Sequence, residues 1–183
     1  MLKKYLLLLV LLMLFNLDSY AQTDGIRTKG PIIHDFGAIF SVSNPDFQTD
    51  TNLVYKVVFD IHNSPEDPAK LNPSINTLAR FLNMHAQAGV PLKNLQIAGI
   101  FHNKATKDAM NSALYKEKYG IDNPNEQLLQ ALEEAGVDLY ICGQSIAARG
   151  YKRHNLSPPI KVGLSAMTII LNLKEKGYTL IKF

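Results

Sequence analysis

The fold is decided at residues 137–145, where the sequence runs Val-Asp-Leu-Tyr-Ile-Cys-Gly-Gln-Ser. The apolar run predicts a buried strand, and the residues from Gly143 onward predict a helix that starts immediately after it. An α/β sheet places ligands and nucleophiles at such junctions, because backbone N–H groups and the helix dipole both favour an anion there. Cys142, the only cysteine of the chain, occupies this junction. Its thiol is therefore the first candidate for a functional group.

Strand and helix patterns alternate on both sides of this junction, from residue 53 to the end of the chain. Strands rich in β-branched and aromatic residues are predicted at 54–61, 95–101, 137–141, 160–164 and 178–183. Helices with regularly spaced apolar residues are predicted at 73–88, 106–119, 124–135 and 166–176. Asn72 and Asn123 each precede a proline as predicted N-caps, and Glu126 takes a capping-box position. The alternation predicts a three-layer α/β sandwich, with a mostly parallel sheet of about five strands and helices on both faces.

The residues before this domain divide into two segments of different composition. Residues 1–21 combine two lysines, an apolar core and a small-residue cleavage site, so we expect a secretory signal peptide. Residues 22–52 are polar and punctuated by glycine and proline, which predicts an extended arm in front of the α/β domain of residues 53–183. The mature protein is then expected to be periplasmic or secreted, with no membrane-spanning segment.

Charge and motif content argue against several function classes. The net charge is only +3, and the one basic cluster, Arg149 to His154, has a single interleaved aromatic residue, so no nucleic-acid partner is expected. Neither a Gly-x-Gly-x-x-Gly fingerprint nor a Gly-x-x-x-x-Gly-Lys loop occurs, and no cofactor is predicted. The five histidines match no common metal-ligand spacing, so no metal site is predicted either.

Four short motifs follow one another along this frame: Phe101-His102, Asn123-Pro124-Asn125, Ile141-Cys142-Gly143-Gln144-Ser145 and Leu164-Ser165-Ala166-Met167. In these motifs the chain resembles the DsrE/DsrF-like family, and more closely its exported single-domain bacterial branch, from about Tyr55 to Phe183. The resemblance implies an α/β subunit that assembles as a homo-oligomer, either a trimer or a hexamer. It also implies that Cys142 matches the cysteine that carries a persulfide in sulfur-relay members, which work beside sulfur donor and acceptor proteins. The chain departs from the family pattern at Asn103, where close relatives have glycine.

Several residues are candidate partners of the thiol. A thiol attacks sulfur in its anionic form, and free cysteine is mostly protonated at neutral pH because its pKa is about 8.5. The amides of Gly143, Gln144 and Ser145 are predicted to stabilise the thiolate at the helix start. His102 and Ser165 follow other strands and are expected at the same edge of the sheet, although N-capping is the first expectation for Ser165.

The sequence allows two interpretations of the site. In the first, Cys142 is the catalytic thiol of a persulfide carrier or sulfurtransferase. In the second, Cys142 only fills the end of a buried strand, and the protein is a non-catalytic oligomeric module that binds a small ligand. Asn76 and Asn83 in the first long helix either reach the pocket or face solvent or another subunit. Arg149 either attracts an anionic sulfur compound or is simply exposed.

Overall fold

Five runs of β-branched and aromatic residues pair into one sheet in the computed structural model, which describes residue 25 and residues 27–182. The signal peptide predicted at residues 1–21 lies outside the described residues. In chain order the strands are β1 (Arg27–Thr28), β2 (Ile39–Phe40), β3 (Tyr55–Ile61), β4 (Leu95–Phe101), β5 (Asp138–Cys142), β6 (Ile160–Gly163) and β7 (Thr179–Ile181). The sheet has the order β6-β5-β4-β3-β7, and every neighbouring pair in it is parallel.

Helices connect these strands, and their ends follow the capping residues. The helices are α1 (Pro73–Gln87), α2 (Ser112–Tyr119), α3 (Glu126–Glu134), α4 (Gly143–Ala148) and α5 (Ala166–Glu175), with 3₁₀ segments at Leu92–Asn94, Asn103–Ala109 and Arg153–Asn155. Asn72 caps α1 as predicted, because its side chain accepts the N–H of Ser74 at 2.8 Å. Within residues 27–182, no helix has both the length and the apolar composition needed to cross a bilayer.

The sheet is covered on both faces, so the predicted three-layer α/β sandwich is confirmed. Helices α1 and α3 pack on one face over the larger core, whose fully buried side chains include Ile61, Leu78, Leu82, Phe101 and Leu132. Helix α5 packs on the other face over a smaller cluster of Val58, Ala98, Ile100, Cys142, Ala166, Ile169 and Leu173. Because all five strands are parallel, their carboxyl ends lie at one edge of the sheet, and the following loops meet there.

The predicted helix 106–119 is wrong in its first half. Residues Asn103–Ala109 form a 3₁₀ segment, and an α-helix begins only at Ser112. The α-helix cannot start before Asn111, because the Asn111 side chain accepts the N–H of Leu114 at 3.0 Å and caps α2. Met110, just before it, forms an isolated antiparallel bridge with Leu156, which holds the backbone in an extended conformation.

The start of α3 also differs from the prediction. The helix begins at Glu126 rather than Pro124, although the Asn123 side chain does accept the N–H of Asn125 at 2.9 Å. Glu126 makes no capping box, because its carboxylate accepts hydrogen bonds from the hydroxyl and the N–H of Ser112 instead. A polar partner brought in by the tertiary fold replaces the local cap that the sequence pattern indicates.

The arm before β3 packs along α1 and is held there by one buried amide. Its two short strands, β1 and β2, form an antiparallel pair. Asn83 in α1 accepts the N–H groups of Ile32 and Ile33 at 3.1 and 2.9 Å through its Oδ1. Its Nδ2 donates to the carbonyl groups of Ile33, Phe36 and Gly37 at 3.0, 3.1 and 3.0 Å. Asn83 therefore acts as a structural anchor of the arm and does not line a pocket at the strand ends.

Asn76, two turns earlier in α1, is a second anchor of the arm. Its Oδ1 accepts the N–H of Gly37 at 2.8 Å. Gly37 has a φ of +63°, and a Cβ at this position would lie 2.4 Å from the backbone of Ala79. Only glycine combines this backbone conformation with so close an approach to the helix.

Candidate functional site

An open cleft of about 370 Å³ lies where the carboxyl ends of the strands meet the start of α5. Its polar lining consists of Asp60, His102, Cys142, Gln144, Ser165 and Lys182. Helix α5 contributes the less polar wall through Ala166, Met167 and Ile170. Four residues singled out from the sequence, Cys142, His102, Gln144 and Ser165, thus share one cleft.

Cys142 is the last residue of β5, and α4 begins at the next residue. It is 7% exposed and belongs to the apolar cluster under α5. Burial raises the pKa of Cys142, but hydrogen bonds from the Ser145 hydroxyl and from the N–H groups of Ala166, Ser145 and Gln144 outweigh it and hold the pKa below its ordinary value. These donors belong to the first turns of α4 and α5, so both helix dipoles also favour the anion.

Gly143 allows the backbone after the thiol to pass close to the end of β6. A Cβ at Gly143 would lie 2.6 Å from the carbonyl oxygen of Gly163 and 3.0 Å from that of Leu164. Gln144 spans the same gap, because its Nε2 donates to the Leu164 carbonyl at 3.4 Å. A side chain at position 143 would push α4 away from β6 and displace the amides that face the thiol.

Ser165 has the capping role expected for it. Its Oγ accepts the N–H of Thr168 at 3.1 Å and so begins α5. The cap also fixes the position of the next residue, Ala166, whose N–H bonds the thiolate of Cys142. Ser165 lines the cleft, but the structure gives it no contact with the thiol that goes beyond this positioning.

Two residues hold Ser145 in place: Asn103, in the segment after β4, and Arg149, directly after α4. The N–H of Asn103 donates to the Ser145 Oγ at 3.3 Å. The Arg149 guanidinium donates to the carbonyl groups of Ser145 and Asn103 at 3.0 and 2.7 Å, so its charge is directed at the backbone and not into the cleft. Asn103 has a φ of +52°, a left-handed conformation that asparagine adopts more readily than most other residues besides glycine. Asparagine can adopt this backbone conformation, which a glycine at position 103 would also allow.

The buried carboxylate of Asp60 lies beside the thiol and contacts two basic side chains. The side chain of Asp60 is 5% exposed; its Oδ1 lies 2.6 Å from the His102 Nε2, and its Oδ2 lies 3.0 Å from the Lys182 Nζ. Burial raises the pKa of Asp60, but the hydrogen bonds from His102 and Lys182 outweigh it and hold the pKa below its ordinary value. The described side-chain contacts of His102 are with Asp60 and with the ring of His62, 5.9 Å away between centroids, and not with Cys142.

Sequence reasoning gave Asp60 and Lys182 no part in the site. The available indication for Asp60 is a carboxylate inside an otherwise buried strand, between Phe59 and Ile61. Such a residue needs a charged or hydrogen-bonding partner. That partner, Lys182, lies far along the chain and reaches Asp60 only because β7 pairs with β3.

The Asn123-Pro124-Asn125 motif lies outside the cleft, in a buried polar network around Asp108. The carboxylate of Asp108 accepts the Nδ2 of Asn72 at 2.7 Å and the hydroxyl of Ser64 at 2.9 Å. Asn123 donates to the Asp108 carbonyl at 2.9 Å. Burial raises the pKa of Asp108, although the bonds from Asn72 and Ser64 oppose the rise. The motif therefore ties the start of α1 to the segment before α3, which is a structural role.

Comparisons with known proteins agree with this fold. A protein of unknown function, MTH1491 from Methanobacterium thermoautotrophicum, has a similar structure, with a TM-score of 0.53 and 18% sequence identity. The ychN protein from E. coli is also similar, with a TM-score of 0.50 and 17% identity. Each match covers 70% of this chain and 99% of the solved chain. No curated protein matches this chain.

At these identities the two solved structures establish the fold alone. A family model, described as the DsrE/DsrF-like family, matches residues 56–183. This range runs from β3 to the end of the chain and includes every residue that lines the cleft. The chain belongs to the DsrE/DsrF-like family.

Proposed function

We propose that this protein is an exported sulfur-handling member of its family, in which Cys142 accepts sulfane sulfur and holds it as a persulfide. The observation that carries the proposal is the set of hydrogen bonds to the thiolate from the Ser145 hydroxyl and from three backbone N–H groups. A thiol in this environment becomes nucleophilic at a lower pH than a free cysteine does. The link of the family to sulfur relay supports the same assignment.

The transfer step is a balanced exchange of one sulfur atom. The Cys142 thiolate attacks the outer sulfur of a donor persulfide, R–S–SH, and a new S–S bond forms at Cys142. The S–S bond of the donor breaks, and R–S⁻ leaves with the electron pair of that bond. An acceptor thiolate then attacks the outer sulfur of Cys142–S–SH, and the Cys142 thiolate is released. No external oxidant or reductant is consumed.

The cleft provides suitable surroundings for a persulfide. Gln144 and Lys182 contribute an amide and an ammonium group to its lining, and the N-terminus of α5 faces it. The N-terminus of α5 favours a negative charge on the outer sulfur, while the Lys182 ammonium group balances the Asp60 carboxylate in the same lining. Met167 and Ile170 make part of the wall apolar, which lowers the local dielectric beside the thiol.

Intact-mass measurement tests the proposal directly. The purified protein is incubated with several low-molecular-weight persulfide and polysulfide donors and then measured without reductant. We expect an adduct of one sulfur atom on the wild type and none on Cys142→Ser. Release of the adduct by an added thiol would show that the sulfur is transferable. The absence of any adduct with all donors would contradict the proposal.

A second candidate function, a non-catalytic oligomeric module that binds a small ligand, is favoured by the burial of Cys142 to 7% exposure within an apolar cluster. In that case the thiol serves packing alone, and alkylating reagents reach it only when the protein unfolds. Labelling with iodoacetamide in the absence and presence of denaturant separates the two functions. Labelling of the folded protein within minutes supports the sulfur carrier.

We also propose that the protein is a homo-oligomer, a trimer or a hexamer. An apolar stripe on and before α5 supports this proposal: Leu164, Met167 and Leu171 are 70%, 74% and 61% exposed. Large apolar side chains exposed in one row are typical of interaction surfaces. Light scattering should give a multiple of the monomer mass for the wild type and a lower mass for Leu171→Glu. A wild-type monomer at micromolar concentration would contradict the proposal.

Export rests on the composition of residues 1–21. The full-length chain, expressed in a bacterium with two membranes, should appear in the periplasmic fraction or the medium. N-terminal sequencing should then begin at Gln22, the residue after the expected cleavage site. A cytoplasmic protein that retains residues 1–21 would contradict export without affecting the proposed chemistry of Cys142.

A further inference from the structure

We propose that Asp60, His62 and His102 form a binding site for a divalent transition-metal ion such as Zn²⁺. Each of these residues offers a ligand atom, and the three atoms lie within 4.8 Å of one another. One carboxylate and two imidazoles are a donor set that suits Zn²⁺ and its neighbours in the first transition row. Three protein ligands leave one position open, as in catalytic rather than structural zinc sites. The proposal does not depend on the sulfur chemistry of Cys142.

Strand pairing brings the three residues together. Asp60 and His62 are two residues apart in and just after β3, so extended backbone directs their side chains to the same face. The parallel register pairs Ile61 with Phe101, which puts His62 and His102 at neighbouring positions beyond the strand ends. Common metal-ligand spacings, such as two histidines a few residues apart, identify ligands on a single helix or loop. They therefore cannot indicate a site whose ligands come from two different strands.

The two imidazoles already have a separation that suits a shared ion. Their ring centroids are 5.9 Å apart, and the ring planes meet at 34°. Two imidazoles that bind one Zn²⁺ through nitrogen atoms at about 2.0–2.1 Å have ring centroids roughly 5 to 6 Å apart. The Nε2 of His62 accepts a hydrogen bond from the Nδ2 of Asn63 at 3.0 Å, so an ion that binds at this nitrogen would displace the Asn63 amide.

The charge of Asp60 is the second argument for a cation. A carboxylate that is 5% exposed requires positive or hydrogen-bonding partners, which the Lys182 ammonium group and the Nε2 of His102 supply. Lys182 is 62% exposed and lies just after β7, so its ammonium group can withdraw into solvent. A divalent ion would compensate the carboxylate as Lys182 does, and it would also bind the two imidazoles, which an ammonium group cannot do.

Isothermal titration calorimetry of the full mature chain with Zn²⁺, after treatment with a chelator, tests the site. We expect one saturable site per chain for Zn²⁺ and none for Mg²⁺, because imidazole ligands suit Zn²⁺ and not Mg²⁺. Asp60→Asn, His62→Ala and His102→Ala should each weaken the affinity about tenfold or more. His34→Ala, in the arm, is the matched control and should leave the affinity unchanged. Circular dichroism checks that each variant is folded, and His62→Ala carries the test if Asp60→Asn does not fold.

Two further variants distinguish this site from metal bound to the thiol or to scattered surface groups. Lys182→Ala should tighten Zn²⁺ binding, because the ammonium group no longer competes for Asp60. Cys142→Ser should leave the affinity unchanged, and the Co²⁺-loaded wild type should show no thiolate-to-cobalt charge-transfer band. Zn²⁺ binding that is lost in Cys142→Ser but kept in His62→Ala would overturn the proposal. The absence of saturable binding to the wild type would also overturn it.

Discussion

A hydrogen bond from the Ser145 hydroxyl lowers the pKa of Cys142, three residues earlier in the chain. The same Ser145 oxygen accepts the N–H of Asn103 at 3.3 Å, so a chain of two hydrogen bonds runs from the loop after β4 to the sulfur. Hydrogen bonds in such a chain polarise and strengthen each other. The loop after β4 therefore influences a thiol at the end of β5 although His102 does not contact that thiol in the described structure.

We predict that Ser145→Ala makes Cys142 less reactive at neutral pH. A hydrogen bond to a charged group contributes about 1.5–3 kcal/mol. At pH values below the pKa of Cys142, its loss should therefore reduce the fraction of thiolate by about tenfold. The pKa of Cys142 then rises, and the pH midpoint of iodoacetamide labelling moves upward relative to the wild type. Rates of labelling across a pH series, measured by mass spectrometry, check this prediction.

Ser41→Ala is the matched control for this experiment, because Ser41 lies in the arm, far from Cys142 in the chain, and its hydroxyl accepts a hydrogen bond from the Gln87 side chain at 3.3 Å. Its labelling profile should superimpose on that of the wild type. Identical profiles for Ser145→Ala and the wild type would mean that the backbone N–H groups alone stabilise the thiolate.

The junction at Cys142 was predictable because all the residues that indicate it are neighbours in the sequence. An apolar run, a cysteine and a glycine are adjacent in the chain, and the strand and the helix that they indicate are both present. The strand boundaries differ from the predictions by at most two residues, since β-branched runs mark strands clearly. The parallel sheet then follows from the alternation of strands and helices.

The rest of the site was not predictable because it depends on which strands are neighbours. Asp60 meets Lys182 only through the pairing of β3 with β7, and no local pattern specifies that pairing. The role of Ala166 in bonding the thiolate depends on the placement of α5 next to α4. The anchoring role of Asn83 was unpredictable for the same reason, because the backbone groups that form its five hydrogen bonds lie about fifty residues earlier, in the arm.

We predict that Asn83→Ala detaches the arm from α1. The substitution removes five hydrogen bonds and leaves buried backbone groups of the arm without partners, so the free energy of unfolding should fall by at least about 2 kcal/mol. Asn76→Ala removes one bond, to the Gly37 N–H, and should cost about 1 kcal/mol. Urea denaturation measures both, and hydrogen exchange of residues 32–37 reports the arm directly. Unchanged exchange in Asn83→Ala would contradict the anchoring role.

We predict that Asp108 makes the folded state less stable as the pH rises. Its folded pKa lies above the unfolded value of about 3.9, so between these two pKa values the folded state binds more protons than the unfolded state. The free energy of unfolding of the wild type relative to Asp108→Asn should therefore decrease with pH across this window and stay constant above it. Urea denaturation of both proteins from pH 3 upward provides the comparison. A difference that increases with pH would contradict the direction of this pKa shift.

Asn103 has a φ of +52° and donates its backbone N–H to the Ser145 Oγ. Asn103→Gly keeps that conformation and every backbone hydrogen bond to Ser145 and Arg149, so stability should change by less than about 1 kcal/mol. Asn103→Val places a β-branched side chain in the left-handed region, at a cost of about 1–2 kcal/mol. Relaxing this strain would withdraw the N–H from Ser145, so labelling of Cys142 should slow toward the rate of Ser145→Ala. Urea denaturation and the same labelling series test both variants. If Asn103→Val matched Asn103→Gly in stability and labelling, the loop would not support the thiol.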